Sequence, residues 1–94
     1  MAKIKGKEKI LIICRYENWC VTWFKNLLNF LADNIYHEDR EKIRVNRRNK
    51  CICIPEKEII FVPESREFEL TRGMAPNKVI HWYGDEVVDL WNQI

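Results

Sequence analysis

The chain has 94 residues, 47% of them hydrophobic and 32% charged, the composition of one small folded domain and not of a disordered segment. Its 16 basic and 14 acidic side chains leave a net charge of +2, so nucleic-acid binding by charge alone is not favoured and would need a local basic patch. No apolar run reaches the length of a membrane span, and the start "MAKIKGKEKILIIC" lacks the layout of a secretory leader. The expected setting is the cytoplasm, with no membrane partner and with Cys14, Cys20, Cys51 and Cys53 as reduced thiols.

Residues 1–7, with Lys3, Lys5 and Lys7, read as a flexible basic arm ahead of a single domain over residues 8–94. Lys9 to Cys14, "KILIIC", is an Ile-rich apolar run of the kind that fills an interior strand buried on both faces. From Trp19 to about Tyr36 the apolar positions Cys20, Phe24, Leu27, Leu28, Leu31 and Ile35 recur at helical spacing, with Asn18 placed to cap the helix. After the charged loop "HEDREK" come four short strand candidates, Ile43–Val45, Cys51–Ile54, Glu58–Val62 and Arg66–Leu70, spaced as an antiparallel meander. "TRGMAPN" reads as a loop and Lys78–Tyr83 as a further strand. Gly84 ends that strand, and Asp85 is placed to cap a short C-terminal helix carrying Val87, Val88, Leu90 and Trp91. The expected class is α+β: a mixed or antiparallel sheet of about five to six strands, one long helix after the first strand and a short C-terminal helix.

The junction "CRYENW" carries the main chemical expectation. It follows an interior strand and opens a helix, where backbone N–H groups point at an anion. Arg15 adds a fixed charge, and Tyr16 and Trp19 add flat faces on which a base can stack. Arg72 and Trp82 are candidate partners for the same ligand. Arg44, Arg47 and Arg48, beside Lys50 at a predicted hairpin turn, are candidate phosphate contacts, although such turns are usually just solvated. Cys51 and Cys53 share one face of a strand. With no second paired motif, core packing is preferred over zinc, and neither a metal nor another cofactor is expected. A phosphate-cradling glycine loop is absent, since the glycines are Gly6, Gly73 and Gly84.

In order, "KILIIC", a helix and then "CICIPEKEIIFVPESREFELTRGMAPNKVIHWYGDEV" resemble the middle of the ATPase lobe of phage large terminases over residues 8–90. The resemblance implies that Ile59–Phe61 match that family's hairpin strand and Arg72–Gly73 its loop. Asp85 and Glu86 would match its magnesium-binding carboxylate and catalytic glutamate. The family's phosphate-binding loop and nuclease lobe have no counterpart, and Gly84 interrupts the apolar run before Asp85. Without a lysine to neutralise phosphates, the Asp-Glu pair would repel a triphosphate, so ATPase activity is not expected.

The leading expectation is therefore a non-enzymatic phage or mobile-element type of protein, acting in a host cell. It would capture a nucleotide-like or other anionic ligand, as a homo-oligomer, and would serve counter-defence by sequestering a host signal. One alternative is an interaction module that inhibits a host enzyme through exposed Trp and Arg side chains. The other is a metal-dependent phosphohydrolase or DNA-packaging accessory that uses Asp85 and Glu86.

Overall fold

A computed structural model describes residues 7–94, so the basic arm expected over residues 1–7 lies, apart from Lys7, outside the described residues. The chain runs β1 (Glu8–Cys14), α1 (Glu17–Phe30), β2 (Arg44–Asn46), β3 (Cys51–Ile54), β4 (Lys57–Pro63), α2 (Glu67–Met74), β5 (Lys78–His81) and α3 (Val87–Gln93). The five strands form one mixed sheet in the order β2-β3-β4-β1-β5. The α+β class, the long helix after strand one and the short C-terminal helix are as expected. No helix among the described residues is long and apolar enough to cross a membrane.

β1 lies inside the sheet, parallel to β4 on one side and to β5 on the other. Its run from Ile10 to Cys14 is fully buried, because both faces of an interior strand are covered. Ile10, Ile12 and Cys14 point to one face, where Ile52, Ile54, Ile59, Phe61 and Ile80 join them from the neighbouring strands. α1 lays Cys20, Phe24 and Leu27 on this layer, and α3 adds Leu90. Leu11, Ile13, Cys51, Ile60 and Val62 form a smaller cluster on the opposite face. Alternation of side chains across the sheet makes this division, so two apolar layers follow from one continuous run of residues.

The helix expected to Tyr36 does extend that far, but not as one α-helix. Leu31–Ile35 form a π-turn closed by the Tyr36 N–H donating to the Leu31 carbonyl at 2.7 Å. The helix also starts earlier than the capping argument placed it. Tyr16 is the N-cap residue and makes no side-chain cap hydrogen bond. Asn18 sits inside the first turn, where its carbonyl accepts from Thr22 Oγ1 at 3.0 Å. Likewise Glu86, not Asp85, occupies the N-cap of α3, again without a side-chain cap bond.

The strand expected at Arg66–Leu70 is helical. Glu64–Arg66 form a 3₁₀ turn that leads directly into α2, which also takes in Arg72 and Gly73 from the expected loop. The reason is topological. β5 pairs with β1, on the far side from β4, and runs parallel to it. A parallel neighbour cannot be reached by a tight hairpin and needs a crossover, which α2 supplies. Pro63 in extended conformation opens the segment, and Glu64, Glu67 and Glu69 place negative charge at the helix starts. The meander is therefore three strands long, β2-β3-β4, and antiparallel throughout.

Candidate functional site

The three parallel strands end together at Cys14, Pro63 and His81. The hairpin turn 47–50 rises toward this end, because β3 is antiparallel to β4 and starts opposite Ile60, three residues before β4 ends. Lys50 closes the turn in the left-handed region at φ 54°, and its carbonyl accepts from the Phe61 N–H at 3.0 Å. Beyond that bond β4 continues without a β3 partner, and a cleft opens along it.

The cleft holds about 280 Å³, close to the lower end of the roughly 300–1,000 Å³ typical of small-ligand sites. Ile60, Val62 and Pro63 of β4 give it an apolar floor, and Asn46 and Asn49 add polar groups. Four cationic side chains line it, Lys9, Arg48, Lys50 and Arg66, against two carboxylates, Glu17 and Glu58. The elements deliver them from four directions: Lys9 from β1, Arg48 and Lys50 from the hairpin turn, Arg66 from the 3₁₀ turn after β4, and Glu17 from the start of α1. Lys50 Nζ lies 2.8 Å from Glu17 Oε2 and holds that carboxyl below its ordinary range. Arg66 Nε donates to Glu69 at 3.1 Å. Among the described residues, Lys9 and Arg48 have no carboxylate partner, so their charges are directed to solvent or to a ligand.

Arg15, Tyr16 and Trp19 stand together where β1 leads into α1, next to Glu17 but outside the residues that line the cleft. Tyr16 and Trp19 meet edge to face with ring centroids 5.1 Å apart, and the Arg15 guanidinium lies 5.8 Å from the Tyr16 ring centre. Tyr16 is 51% exposed and Trp19 39%, so both present faces outward. Tyr83, in the chain after β5, donates its hydroxyl proton to Glu64, while His81 Nε2 pairs with Glu67 at 2.8 Å. The Glu64 contact raises the Tyr83 phenol above its ordinary range.

The other candidate ligand residues fall elsewhere. Trp82 is 3% exposed and belongs to the main core, edge to face with Trp23 at 5.3 Å, so it is out of reach of a surface ligand. Among the described residues its buried indole N–H has no acceptor. Arg72 is exposed on α2. Of the three candidate phosphate contacts, Arg48 lines the cleft, whereas Arg44 on β2 and Arg47 in the turn do not. Lys50 belongs to the basic turn cluster that the sequence did reveal, whereas Lys9 and Arg66 are cleft cations that it did not reveal as ligand contacts. Their signal is register: Lys9 sits opposite Glu58 across the β1–β4 pair, a relation that needs the pairing to be known.

Asp85 and Glu86 are exposed and border an open depression with Asp33, Asn26 and Asn29 between α1 and α3. They do not converge with any third ligand to metal-binding distance among the described residues. The group that does converge is Cys51, Cys53 and Glu58, beside the cleft. Burial, with Cys53 and Glu58 close by, pushes the Cys51 thiol up to about 12. Cys14 and Cys20 lie on the other face, fully buried, and the Cys14 thiol is raised by its hydrogen bond to Cys20 and by burial. Comparison with known proteins finds no matching family model, no similar curated protein and no similar solved structure.

Proposed function

We propose that this protein is a small non-enzymatic binding module that captures a nucleotide-like or other anionic ligand in the cleft along β4. The observation that carries the reading is that Lys9, Arg48, Lys50 and Arg66 line one cleft over an apolar floor along β4, from Lys9 near the amino end of the parallel strands to Arg66 just past their carboxyl end. Cations delivered from separate elements suit a phosphate or carboxylate, and arginine can grip one with two parallel hydrogen bonds. Ile60, Val62 and Pro63 suit a flat or apolar portion of the same ligand. Tyr16 and Trp19 extend the surface on which a base can stack. The resemblance to the terminase ATPase lobe, with its phosphate loop missing, supports a chain that holds a nucleotide without turning it over. In a phage or mobile element such capture would serve to sequester a host signal.

The test is calorimetric titration of purified protein with AMP, ATP, a cyclic dinucleotide and inorganic phosphate. At least one should bind, and Arg48→Ala or Arg66→Ala should weaken it by roughly 10- to 100-fold, the loss expected for a charge-assisted hydrogen bond. Arg44→Ala, outside the cleft, should leave the affinity unchanged. Absence of binding across that set, or equal loss in all three variants, would count against a site in this cleft.

Exposure of Tyr16, Trp19 and Tyr83, in the chain just past the ends of β1 and β5, favours a second reading, a surface that docks on another protein. Native mass spectrometry separates the two. A retained small ligand or a homo-oligomer that completes the cleft supports capture, whereas a ligand-free monomer supports docking.

A further inference from the structure

The cysteine pair that the sequence assigns to core packing has a third group beside it. On β3, Cys51 and Cys53 project to the same face of the sheet, and Glu58 on β4 is the direct cross-strand partner of Cys53. Cys51 Sγ lies 3.7 Å from Cys53 Sγ and 3.8 Å from Glu58 Oε2, and the three donor atoms all fall within 4.8 Å of one another. A tetrahedral zinc ion with Zn–S near 2.3 Å and Zn–O near 2.0–2.2 Å separates its ligand atoms by about 3.5–3.8 Å. The distances of 3.7 and 3.8 Å sit at that edge length before any ion is added.

We propose that Cys51, Cys53 and Glu58 form a binding site for a thiophilic divalent cation, zinc being the fitting one, with its fourth position open to the cleft. The donor set is two soft sulfurs and one carboxylate, which suits zinc and disfavours magnesium or calcium. Rigidity comes from the sheet. Cys51 and Cys53 lie on a strand hydrogen-bonded on both sides, to β2 and to β4, so the backbone that carries the donors is held in register. The surrounding charge also fits. The same cross-strand row runs Lys9, Glu58, Cys53, Arg44 over β1, β4, β3 and β2. Two thiolates and a carboxylate around a divalent ion leave one net negative charge, and Lys9 and Arg44 flank the row at its two ends. Cys51 and Glu58 both line the cleft, so a water or an anionic group can reach the remaining position. Binding releases the two thiol protons to solvent, with no change in oxidation state.

This site stands independently of anion capture, and its test uses no nucleotide. The full chain, reduced and freed of metal, is titrated with Zn²⁺ and with Co²⁺, and followed by native mass spectrometry and by visible absorption. One equivalent should be retained, and cobalt should show the intense visible bands of a tetrahedral thiolate site. Cys53→Ser should abolish those bands, and Glu58→Gln should weaken binding by roughly tenfold or more while the far-ultraviolet circular dichroism of both variants stays that of the parent. Glu64→Gln, an acid outside the Cys51, Cys53 and Glu58 cluster, should change nothing. Failure to retain an equivalent, octahedral cobalt spectra, or undiminished binding in both Cys53→Ser and Glu58→Gln would overturn the site. So would a Cys51–Cys53 disulfide whose reduction yields no metal-binding form.

Discussion

Gly84 is a glycine for reasons of space. Its backbone is not in the left-handed region, so conformational freedom is not what the position requires. A Cβ built there would stand 2.5 Å from Cη2, 2.8 Å from Cζ2 and 3.0 Å from Cζ3 of Trp82, whose indole folds back over the chain. Gly84→Ala should therefore displace that ring and destabilise the fold by about 1–3 kcal/mol, the usual cost of overpacking. Urea unfolding checks it, and a midpoint equal to the parent's would show that the ring can shift freely. The sequence placed a strand over Lys78–Tyr83 with Gly84 ending it, but β5 already ends at His81, and what Gly84 accommodates is the fold-back of Trp82, a tertiary event. Trp82 shows the same gap. From its neighbours "HWY" it reads equally well as a stacking surface, and only its contact with Trp23 places it in the core.

At the scale of elements, legibility tracked how much of an element's pattern is local. β1 and α1 were readable because their signals are long and one-sided: a buried run at Ile10–Cys14, and Cys20, Phe24 and Leu27 at helical spacing. Ile12, fully buried between two parallel neighbours, should be among the costliest positions to truncate. Ile12→Ala should lose about 2–5 kcal/mol in chemical denaturation. A loss below 1 kcal/mol would mean that the centre of the sheet closes around the cavity. Arg66–Leu70 misled because the alternation in "REFEL" is short enough to fit either a strand or a helix turn. What decided it was the destination of the chain, a fifth strand parallel to β1, which requires a crossover. The candidate site divided in the same way. Arg15, Tyr16 and Trp19 are close in sequence and were found together, while Lys9, Arg48 and Arg66 meet only once β4 lies between β1 and β3.

For the whole molecule, charge acts through pairs that join distant parts of the chain. Lys57 Nζ meets Glu8 Oε1 at 2.7 Å, linking β4 to β1, and Lys50 meets Glu17 at 2.8 Å, linking the hairpin turn to α1. Each lysine lowers its partner carboxyl below the ordinary value of 4.5. A carboxyl lowered in the folded state binds fewer protons than in the unfolded chain, so its contribution is complete above 4.5 and is lost as pH falls through the lowered value. Unfolding midpoints should therefore decline below about pH 4.5, and Lys50→Met with Lys57→Met should flatten that decline. The effect should be modest, since both carboxylates are solvated and salt screens them. An unchanged slope in the double variant would assign the acid limb to other groups. By itself the sequence determined that the chain makes an α+β domain with a buried first strand and a long packed helix, because hydrophobic period is written into consecutive residues. Tertiary structure alone decided that α2 is a crossover, that Trp82 is core, and that Lys9, Arg48, Lys50 and Arg66 share a cleft with Cys51 and Glu58. Those relations depend on strand order and register, and a side chain carries no local mark of which strand will come to lie beside its own.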